Sequence, residues 1–264
     1  MNIILTRPLL DTEDLMSKLL SMGHKIIHVP TLKISKAQNE ILNLENYDVL
    51  IFTSANAVRN LKFKNLRNKI FCFCVGSITE KMVRSIGFQN TLSAGGTVLA
   101  LKNLVVNSDK VKKSSRIAYI CGDNISYELD MELKKEGYNL DKFVNYISEK
   151  ITDLSDMGKK LIEEHPPHYI FIYSRRSAES FEEIVRKYSL ASKMTQSKVM
   201  CISKKIADIF SKQGWKKIEI FNKYKKFLAT KGFANVFLSG SALQTDLSNT
   251  WTAIEPVAKL AKKK

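Results

Sequence analysis

Hydroxyl side chains recur in this sequence directly after apolar segments, where a strand would give way to a helix. They are Thr6, Ser54, Ser77, Thr79, Ser174 and Ser203. A hydroxyl at a helix start, together with the free N–H groups of the first turn, favours the binding of a carboxylate or a phosphate. Each hydroxyl alone is better explained as a helix cap that needs no ligand. The set as a whole predicts a cleft that binds a ligand with several negative charges.

The clearest of these segments is residues 48–60, DVLIFTSANAVRN. The apolar run 49–52 predicts a buried strand, and the Ser-Ala-Asn that follows predicts the start of a helix. Ser54 would then lie at the carboxyl end of a strand, where open α/β sheets bind their ligands. Residues 168–181 repeat the pattern, with Ser174 in the place of Ser54.

Further repeats predict that the chain consists of two halves with similar structures. Residues 75–88 match 202–215, and the segment that begins IILTRP near the amino terminus matches 117–147. One half therefore runs through residues 48–147, whereas the other half is split around it. Strands alternate with helices throughout, which is typical of parallel sheets covered on both faces. The pattern predicts two α/β domains, one inserted into the other.

The split sets the predicted domain boundaries. The terminal domain comprises residues 1–34 and 148–228, and the inserted domain comprises residues 35–147. Residues 229–264 lose the alternating pattern and form an extra tail of unknown role. A disordered extension is the preferred interpretation of this tail, and a helix packed on the first domain or an amphipathic anchor to a membrane or partner are the alternatives.

The composition is that of a globular protein with a large positive charge. The chain has 264 residues, of which 44% are hydrophobic, and a formal net charge of +16. The lysines are dispersed, which is typical of a solvated surface, although the summed field also attracts polyanionic ligands. No zinc-finger, leucine-zipper or RNA-recognition pattern is present, so we expect no nucleic-acid partner.

We expect a cytoplasmic protein that does not span a membrane. No apolar run approaches the ~20 residues that a span requires, and the sequence begins with a predicted strand instead of a basic and then apolar leader. The four cysteines lie in or beside predicted strands and are expected to be reduced and buried. They are Cys72, Cys74, Cys121 and Cys201.

Several familiar kinds of site have no counterpart in the sequence. There is no GxGxxG after a strand, no GxxxxGK[ST] phosphate loop and no Gly-x-Ser-x-Gly elbow. His165 and His168 share a Pro-Pro turn but have no evident third ligand, so we predict no metal site.

The order of the motifs resembles the uroporphyrinogen-III synthase family over roughly residues 1–225. TSANAVR at 53–59 is fairly specific, and the remaining motifs are weak singly and strong in order. These are LTRP at the amino terminus, VGSIT at 75–79, Gly122 with Leu129, Leu133 and Gly137 leading to Val144-Asn145-Tyr146, the serine at 174 and the Ile-Ser helix at 202–214.

The resemblance implies two flavodoxin-like parallel-sheet α/β domains, one inserted into the other and joined by a two-stranded linker. It implies that the substrate is hydroxymethylbilane, a linear tetrapyrrole with acetate and propionate groups on every ring. The enzyme would remove the terminal hydroxyl as water, invert ring D through a spiro intermediate and close the macrocycle to uroporphyrinogen III. No metal and no organic cofactor are implied. The protein would act as a monomer, with the preceding pathway enzyme as a candidate partner.

The resemblance also assigns the site residues. Tyr146 matches the family's tyrosine and would be the general acid, since a phenol with an ordinary pKa of about 10 stays protonated at neutral pH. Substrate binding is predicted for Arg7, Ser54, Asn56, Ser77, Thr79, Gly122, Ser174, Ser203 and Lys204. The family's second Gly-x-x-Thr turn is replaced here by residues 202–206, where Lys204 and Lys205 would bind carboxylates in place of hydroxyls.

Two alternatives belong to other functional classes. The first is a non-catalytic, synthase-like module that binds a tetrapyrrole or another polyanion without converting it. The second is a phosphosugar or nucleotide enzyme built on a pair of flavodoxin-like domains, which phosphate ligands would stabilise.

Overall fold

A computed structural model describes residues 1–38, 41–66 and 69–220 of the chain. The strands are β1 (Asn2–Leu5), β2 (Lys25–His28), β3 (Leu32–Lys36), β4 (Leu42–Asn43), β5 (Val49–Phe52), β6 (Phe63–Lys64), β7 (Phe71–Cys74), β8 (Asn90–Ser93), β9 (Arg116–Gly122), β10 (Asn139–Lys150), β11 (Tyr169–Ile172), β12 (Lys198–Cys201) and β13 (Ile218–Ile220). The α-helices are α1 (Glu13–Ser21), α2 (Ala55–Arg59), α3 (Ser77–Ser85), α4 (Val98–Val106), α5 (Leu129–Lys135), α6 (Asp156–Glu164), α7 (Arg175–Lys187) and α8 (Lys204–Lys212).

The described chain divides into two compact units. The terminal unit contains residues 1–33 and 149–220, and the inserted unit contains residues 34–148. The fold is therefore an α/β fold in which one unit interrupts the sequence of the other. The predicted tail, residues 229–264, lies outside the described residues.

Five parallel strands form the sheet of the terminal unit, in the order β2–β1–β11–β12–β13. When these five strands are renumbered 1 to 5 in their order along the chain, they stand in the order 2-1-3-4-5, which is that of flavodoxin-like sheets. The chain leaves β1 toward one edge of the sheet and leaves β11 toward the other. A topological switch point therefore lies between β1 and β11.

The inserted unit has the same topology in a circularly permuted form. Its parallel strands stand in the order β10–β9–β5–β7–β8, and β3 lies beside β10. When β9 is numbered 1, β10 is 2 and β5, β7 and β8 are 3 to 5, the strands again stand in the order 2-1-3-4-5. Strand β9 is therefore equivalent to β1, which explains why residues 117–147 resemble the amino terminus. The switch point of this unit lies between β9 and β5.

The two chain passages between the units are carried by β3 and β10. Within the terminal unit, the Ile151 N–H donates to the Thr31 carbonyl at 2.9 Å. Within the inserted unit, the Ala37 N–H donates to the Asn145 carbonyl at 3.2 Å. Residue numbers rise in one segment as they fall in the other, so the pair is antiparallel.

Both faces of the inserted sheet are covered by apolar side chains. Leu50 and Phe52 belong to one buried cluster, whereas Val49 and Ile51 belong to the cluster on the opposite face. This arrangement explains why the β5 segment is apolar at every position, because strands of a doubly covered sheet bury both faces.

The cysteines are part of these cores. All four are buried and none forms a disulfide. Burial raises the pKa of the Cys201 thiol to about 12, so this group is neutral at physiological pH. Within the three described ranges, no helix is long and apolar enough to cross a bilayer.

Candidate functional site

The inserted unit brings Ser54 and Gly122 together at its switch point. Ser54 follows β5 by two residues, and Gly122 is the last residue of β9. The two strands are parallel neighbours, with Phe52 paired to Ile120. Both residues therefore lie at the carboxyl edge of the sheet, where ligands of open α/β sheets bind.

Ser54 is the N-cap of α2. Its Oγ accepts a hydrogen bond from the Asn56 backbone N–H at 3.1 Å. Because Oγ only accepts in this bond, its own O–H group remains available to donate to a ligand. The Asn56 side chain is engaged differently, since its Oδ1 accepts from Arg59 Nη1 at 2.7 Å.

Gly122 lies directly against the ring of Tyr146. A Cβ atom at position 122 would come within 2.4 Å of Tyr146 Cζ and 2.8 Å of its hydroxyl oxygen. Such distances are far below van der Waals contact, so only glycine permits this approach of ring and backbone. Tyr146 is half-buried and packs against the apolar cluster below α2.

A β-bulge in β10 sets the direction of Tyr146. The pairing with β9 shifts between Val144 and Tyr146, so that Asn145 is the extra residue. Asn145 is 4% exposed, and its Nδ2 donates to the Ala57 carbonyl of α2 at 2.7 Å. The bulge thereby anchors β10 to the helix that Ser54 caps.

Asp123 binds the backbone of β10 directly after the bulge. Its N–H donates to the Tyr146 carbonyl at 3.0 Å, and its Oδ1 accepts from the Ser148 N–H at 2.9 Å. Neither Asp123 nor Asn145 was among the predicted site residues. Asn145 stands in the Val144-Asn145-Tyr146 motif, whereas the only signal for Asp123 in the sequence is that it follows Gly122.

Ser77 and Thr79 lie at the start of α3, one strand away from Ser54. Gly76 occupies the N-cap position of this helix, so neither hydroxyl caps it. Thr79 is 2% exposed, and Ser77 Oγ is buried with no hydrogen-bond partner in the described ranges. Their contact with a substrate stays a prediction.

Arg7 follows the switch-point strand β1 of the terminal unit. Its guanidinium lies 4.8 Å from the centroid of the Tyr173 ring, a cation–π contact. The Arg7 carbonyl accepts from His28 Nε2 at 2.8 Å, so this nitrogen carries a proton. Burial raises the pKa of Tyr173 to about 12. Thr6, by contrast, is fully buried and donates to the Phe171 carbonyl at 2.6 Å.

Ser174 lies at the end of β11, the neighbour of β1. Its Oγ accepts from the Ser177 N–H at 3.0 Å and caps α7. Ser203 and Lys204 lie one strand further, after β12. Ser203 is at the N-cap position of α8 without a side-chain capping bond, and Lys204 is exposed in the first turn.

Each unit therefore presents helix starts and hydroxyls at the carboxyl edge of its own sheet, and the terminal unit adds the cations Arg7 and Lys204. Such groups bind carboxylates through N–H and O–H donors and through positive charge. In the inserted unit a phenol joins them. Throughout residues 1–38, 41–66 and 69–220, no cluster of three His, Cys, Asp or Glu side chains could hold a metal ion.

A family model described as uroporphyrinogen-III synthase HemD matches residues 13–225. No curated protein is significantly similar to the sequence.

Among solved structures, a uroporphyrinogen-III synthetase from Helicobacter pylori matches with a TM-score of 0.57 and 15% identity, covering 87% of this chain and 98% of its own. A mutant uroporphyrinogen III synthase from Thermus thermophilus matches with a TM-score of 0.49 and 14% identity, covering 89% and 98%. At this identity the Helicobacter structure supports the α/β fold.

Proposed function

This chain belongs to the uroporphyrinogen-III synthase family, and we propose that it converts hydroxymethylbilane into uroporphyrinogen III. The reaction removes the terminal hydroxyl of the linear tetrapyrrole as water, inverts ring D through a spiro intermediate and closes the macrocycle. As in the resemblance drawn from the sequence, the proposal requires no metal and no organic cofactor.

The observation that carries the proposal is the packing of Tyr146 on Gly122. This contact holds a phenol at the carboxyl edge of the inserted sheet, against β9, the strand that also neighbours β5 and its Ser54 end. Few side chains can donate a proton at neutral pH and remain uncharged beforehand, and tyrosine is one of them. The geometry therefore supports a proton donor beside a surface that binds carboxylates.

The proposed proton transfers balance over the cycle. The electron-rich pyrrole expels its hydroxymethyl oxygen, and Tyr146 donates a proton to that oxygen so that water leaves. The substrate becomes an azafulvenium cation, whose electrophilic carbon is attacked by the substituted α-carbon of ring D to form the spiro intermediate. The bond from that α-carbon to its original methylene bridge then breaks, and the released methylene carbon bonds to the free α-carbon of ring D, which inverts the ring and closes the macrocycle. The proton that leaves the α-carbon of ring D when this pyrrole ring regains its aromaticity returns the Tyr146 phenolate to phenol, directly or through solvent.

Orientation of the substrate is the larger task, because the free bilane closes unaided to the type I isomer. We assign carboxylate binding to Arg7, Ser174 and Lys204 in the terminal unit and to Ser54 in the inserted unit. A dispersed charge of +16 attracts the same polycarboxylate from solution. Positioning of this kind supplies much of the rate enhancement of an enzyme that has little covalent chemistry to perform.

The direct test uses hydroxymethylbilane generated enzymatically in the same vessel. The full chain is added, the products are oxidised to porphyrins, and the isomers are separated by chromatography. We expect type III to exceed type I. Type I alone, at the rate of the protein-free control, would contradict catalysis, and uroporphyrin binding in that case would support the non-catalytic module instead.

Three finer expectations belong to the same proposal. The protein is expected to be a monomer and to act in the cytoplasm, and its domains are expected to have the boundaries given above. Light scattering on the purified chain tests the first, cell fractionation tests the second, and limited proteolysis tests the third.

A further inference from the structure

A cation of the terminal unit is fixed in position without an anionic partner. Arg7 lies just after β1, and its guanidinium carbon is 4.8 Å from the centroid of the Tyr173 ring. Among the residues with described positions, no carboxylate forms an ion pair with Arg7. Arg7 is partly exposed, and its guanidinium nitrogens are not among the buried atoms that lack a partner. These N–H groups therefore reach solvent and can donate to a carboxylate.

The backbone of Arg7 is held as well as its side chain. Its carbonyl accepts from His28 Nε2 at 2.8 Å and from Thr12 Oγ1 at 3.2 Å. The preceding residue, Thr6, is fully buried and donates to the Phe171 carbonyl of the neighbouring strand at 2.6 Å. A long side chain that is fixed at both ends before its ligand arrives loses less conformational entropy on binding.

The inserted unit has no such pair at the equivalent place. The repeats of the two halves place Cys121 where Arg7 is and Thr53 where Tyr173 is, and the strand registers of the two sheets agree with this alignment. Both units nevertheless form the same sheet topology. The contact between Arg7 and Tyr173 is therefore not required to build this edge of a sheet, which favours a role in binding.

We propose that Tyr173 is a positioning residue that holds the Arg7 guanidinium ready to bind a carboxylate of the substrate. The proposal rests on the proposed function for the identity of that substrate. An aromatic face attracts a cation but does not neutralise its charge, so the guanidinium keeps its attraction for a carboxylate. An acidic side chain in the same place would fix the cation and also compete with the substrate for it.

The first experiment separates binding from chemistry in the reaction. Tyr173→Met replaces the ring with a flexible apolar side chain, whereas Tyr173→Phe keeps the ring and removes only the hydroxyl. We expect Tyr173→Met to raise the KM for hydroxymethylbilane about three- to tenfold, with kcat changed less than about twofold. Tyr173→Phe should restore the KM of the unaltered chain, because the ring and not the hydroxyl contacts the cation.

Tyr138→Met is the matched control in the inserted unit. It removes a ring whose centroid lies 3.6 Å from Lys113 Nζ, just before the start of β10 and at the amino edge of that sheet. This variant should keep the KM of the unaltered chain. An equal rise in KM for both methionine variants would overturn the proposal, since it would show that the loss of any buried ring weakens binding.

A double-mutant cycle tests whether Tyr173 acts through Arg7. Arg7→Gln removes the cation, and in this background Tyr173→Met should change the KM by less than about twofold. A rise as large as in the unaltered chain would overturn the proposal, because it would show that the ring acts without the guanidinium.

The second experiment depends neither on turnover nor on the folding of a Tyr173 variant. The full chain is labelled with nitrogen-15 arginine, and the Arg7 Nε–H signal is assigned by its absence in Arg7→Gln. The Tyr173 ring current should move this signal upfield from those of exposed arginines, and uroporphyrin III, the oxidised form of the proposed product, should shift it further. A signal at the position of exposed arginines that uroporphyrin III leaves unchanged would overturn the proposal.

The outcomes distinguish the role of Tyr173 from the function of the chain. Type III formation with an unchanged KM in Tyr173→Met overturns the positioning role and leaves the synthase function in place. Absence of type III product, together with binding of uroporphyrin III that weakens in Tyr173→Met and is restored in Tyr173→Phe, overturns the synthase function and supports the positioning role.

Discussion

Contacts to the ring of Tyr146, to its carbonyl and to the residue before it hold Tyr146 in place. Gly122 lies against the ring, Asp123 binds the Tyr146 carbonyl, and Asn145 anchors the bulge that directs the side chain. A general acid must be positioned before it can act, and these contacts position the phenol without involving its proton.

Tyr146→Phe removes the phenolic hydroxyl and leaves the ring in contact with Gly122. We expect the fold to be unchanged and the rate of type III formation to fall by more than about tenfold, because general-acid catalysis contributes at least that much. Initial rates of type III formation at saturating hydroxymethylbilane measure this effect.

Tyr47→Phe is the matched control. It also deletes one hydroxyl, which donates to Asp141 Oδ2 at 3.0 Å near the amino ends of the strands, at the opposite edge of the same sheet. Its rate should equal that of the unaltered chain. Equal rates for all three proteins would show that solvent protonates the leaving hydroxyl and that Tyr146 is not the acid.

Gly122→Ala tests whether the contact with Tyr146 requires glycine. The new methyl group would overlap the ring, and we expect a loss of about 1–3 kcal/mol in the free energy of unfolding together with a lower rate. Chemical denaturation measures the first effect and the type III assay measures the second.

A double-mutant cycle identifies the cause of that loss. In a Tyr146→Ala background the ring is gone, so Gly122→Ala should cost less than about 0.5 kcal/mol. A cost that persists in this background would mean that position 122 is constrained by something other than Tyr146.

At the scale of the element, the residue at a helix start can have two roles. It can cap the helix, and it can bind the substrate. Ser54 and Ser174 both cap their helices with side-chain hydrogen bonds, as the simplest interpretation of the sequence predicts. Capping does not exclude a second role for Ser54, because its Oγ accepts from the helix and can still donate its own proton. The Ser174 Oγ, by contrast, already donates to Ser177 Oγ at 2.9 Å.

Ser54→Asp separates the cap from the substrate contact. Aspartate caps helices as well as serine does, so the free energy of unfolding should change by less than about 0.5 kcal/mol. A carboxylate at the carboxyl edge of β5 would repel the carboxylates of hydroxymethylbilane, and we expect KM to rise at least about tenfold. Steady-state kinetics and chemical denaturation of the same preparation give both quantities.

Thr97→Asp makes the equivalent change at another cap of the inserted unit. Thr97 Oγ1 accepts from the Ala100 N–H at 3.1 Å at the start of α4, after the edge strand β8. This variant should keep the KM of the unaltered chain. A similar rise in KM for both variants would point to a general effect of added negative charge and not to a contact at Ser54.

At the scale of the whole molecule, local patterns in the sequence were sufficient to predict the fold class. The repeats that pair residues 48–60 with 168–181 and 117–147 with the amino terminus correspond to equivalent strands of the two permuted sheets. Helix α6 and strand β8 were not anticipated. Helix α6 has few apolar side chains, and β8 is a short, partly exposed edge strand, so neither segment contains a long apolar run.

The candidate site was less accessible to prediction. Ser54, Gly122 and Tyr146 follow strand ends or match a motif, and the structure places them at adjoining strands. The bulge at Asn145 and its hydrogen bond to Ala57 depend on strand register and on a contact between distant segments, which carry no local signal.

A half-buried acid in the terminal unit makes the stability of the molecule depend on pH. Burial raises the pKa of Glu182 from its usual 4.5 to about 7, although the Trp215 indole and Arg186 partly oppose the shift. The folded state therefore holds this proton more tightly than the unfolded state does. The resulting stability is fully present below about pH 4.5 and is lost as the pH rises through about 7.

Glu182→Gln should remove this dependence, because the amide stays neutral at every pH. At pH 8 we expect the variant to be more stable than the unaltered chain by about 1–2 kcal/mol, a value reduced for the partial exposure of the group, and to differ little near pH 4.5. Urea denaturation followed by tryptophan fluorescence measures this in a Trp251→Phe background, where Trp215, in contact with Phe181 and Phe210, is the remaining indole. Glu183→Gln removes the same charge one residue along α7 and should not reproduce the effect. Equal stabilisation at pH 5 and pH 8 would show that the buried carboxyl is destabilising for a reason other than its charge.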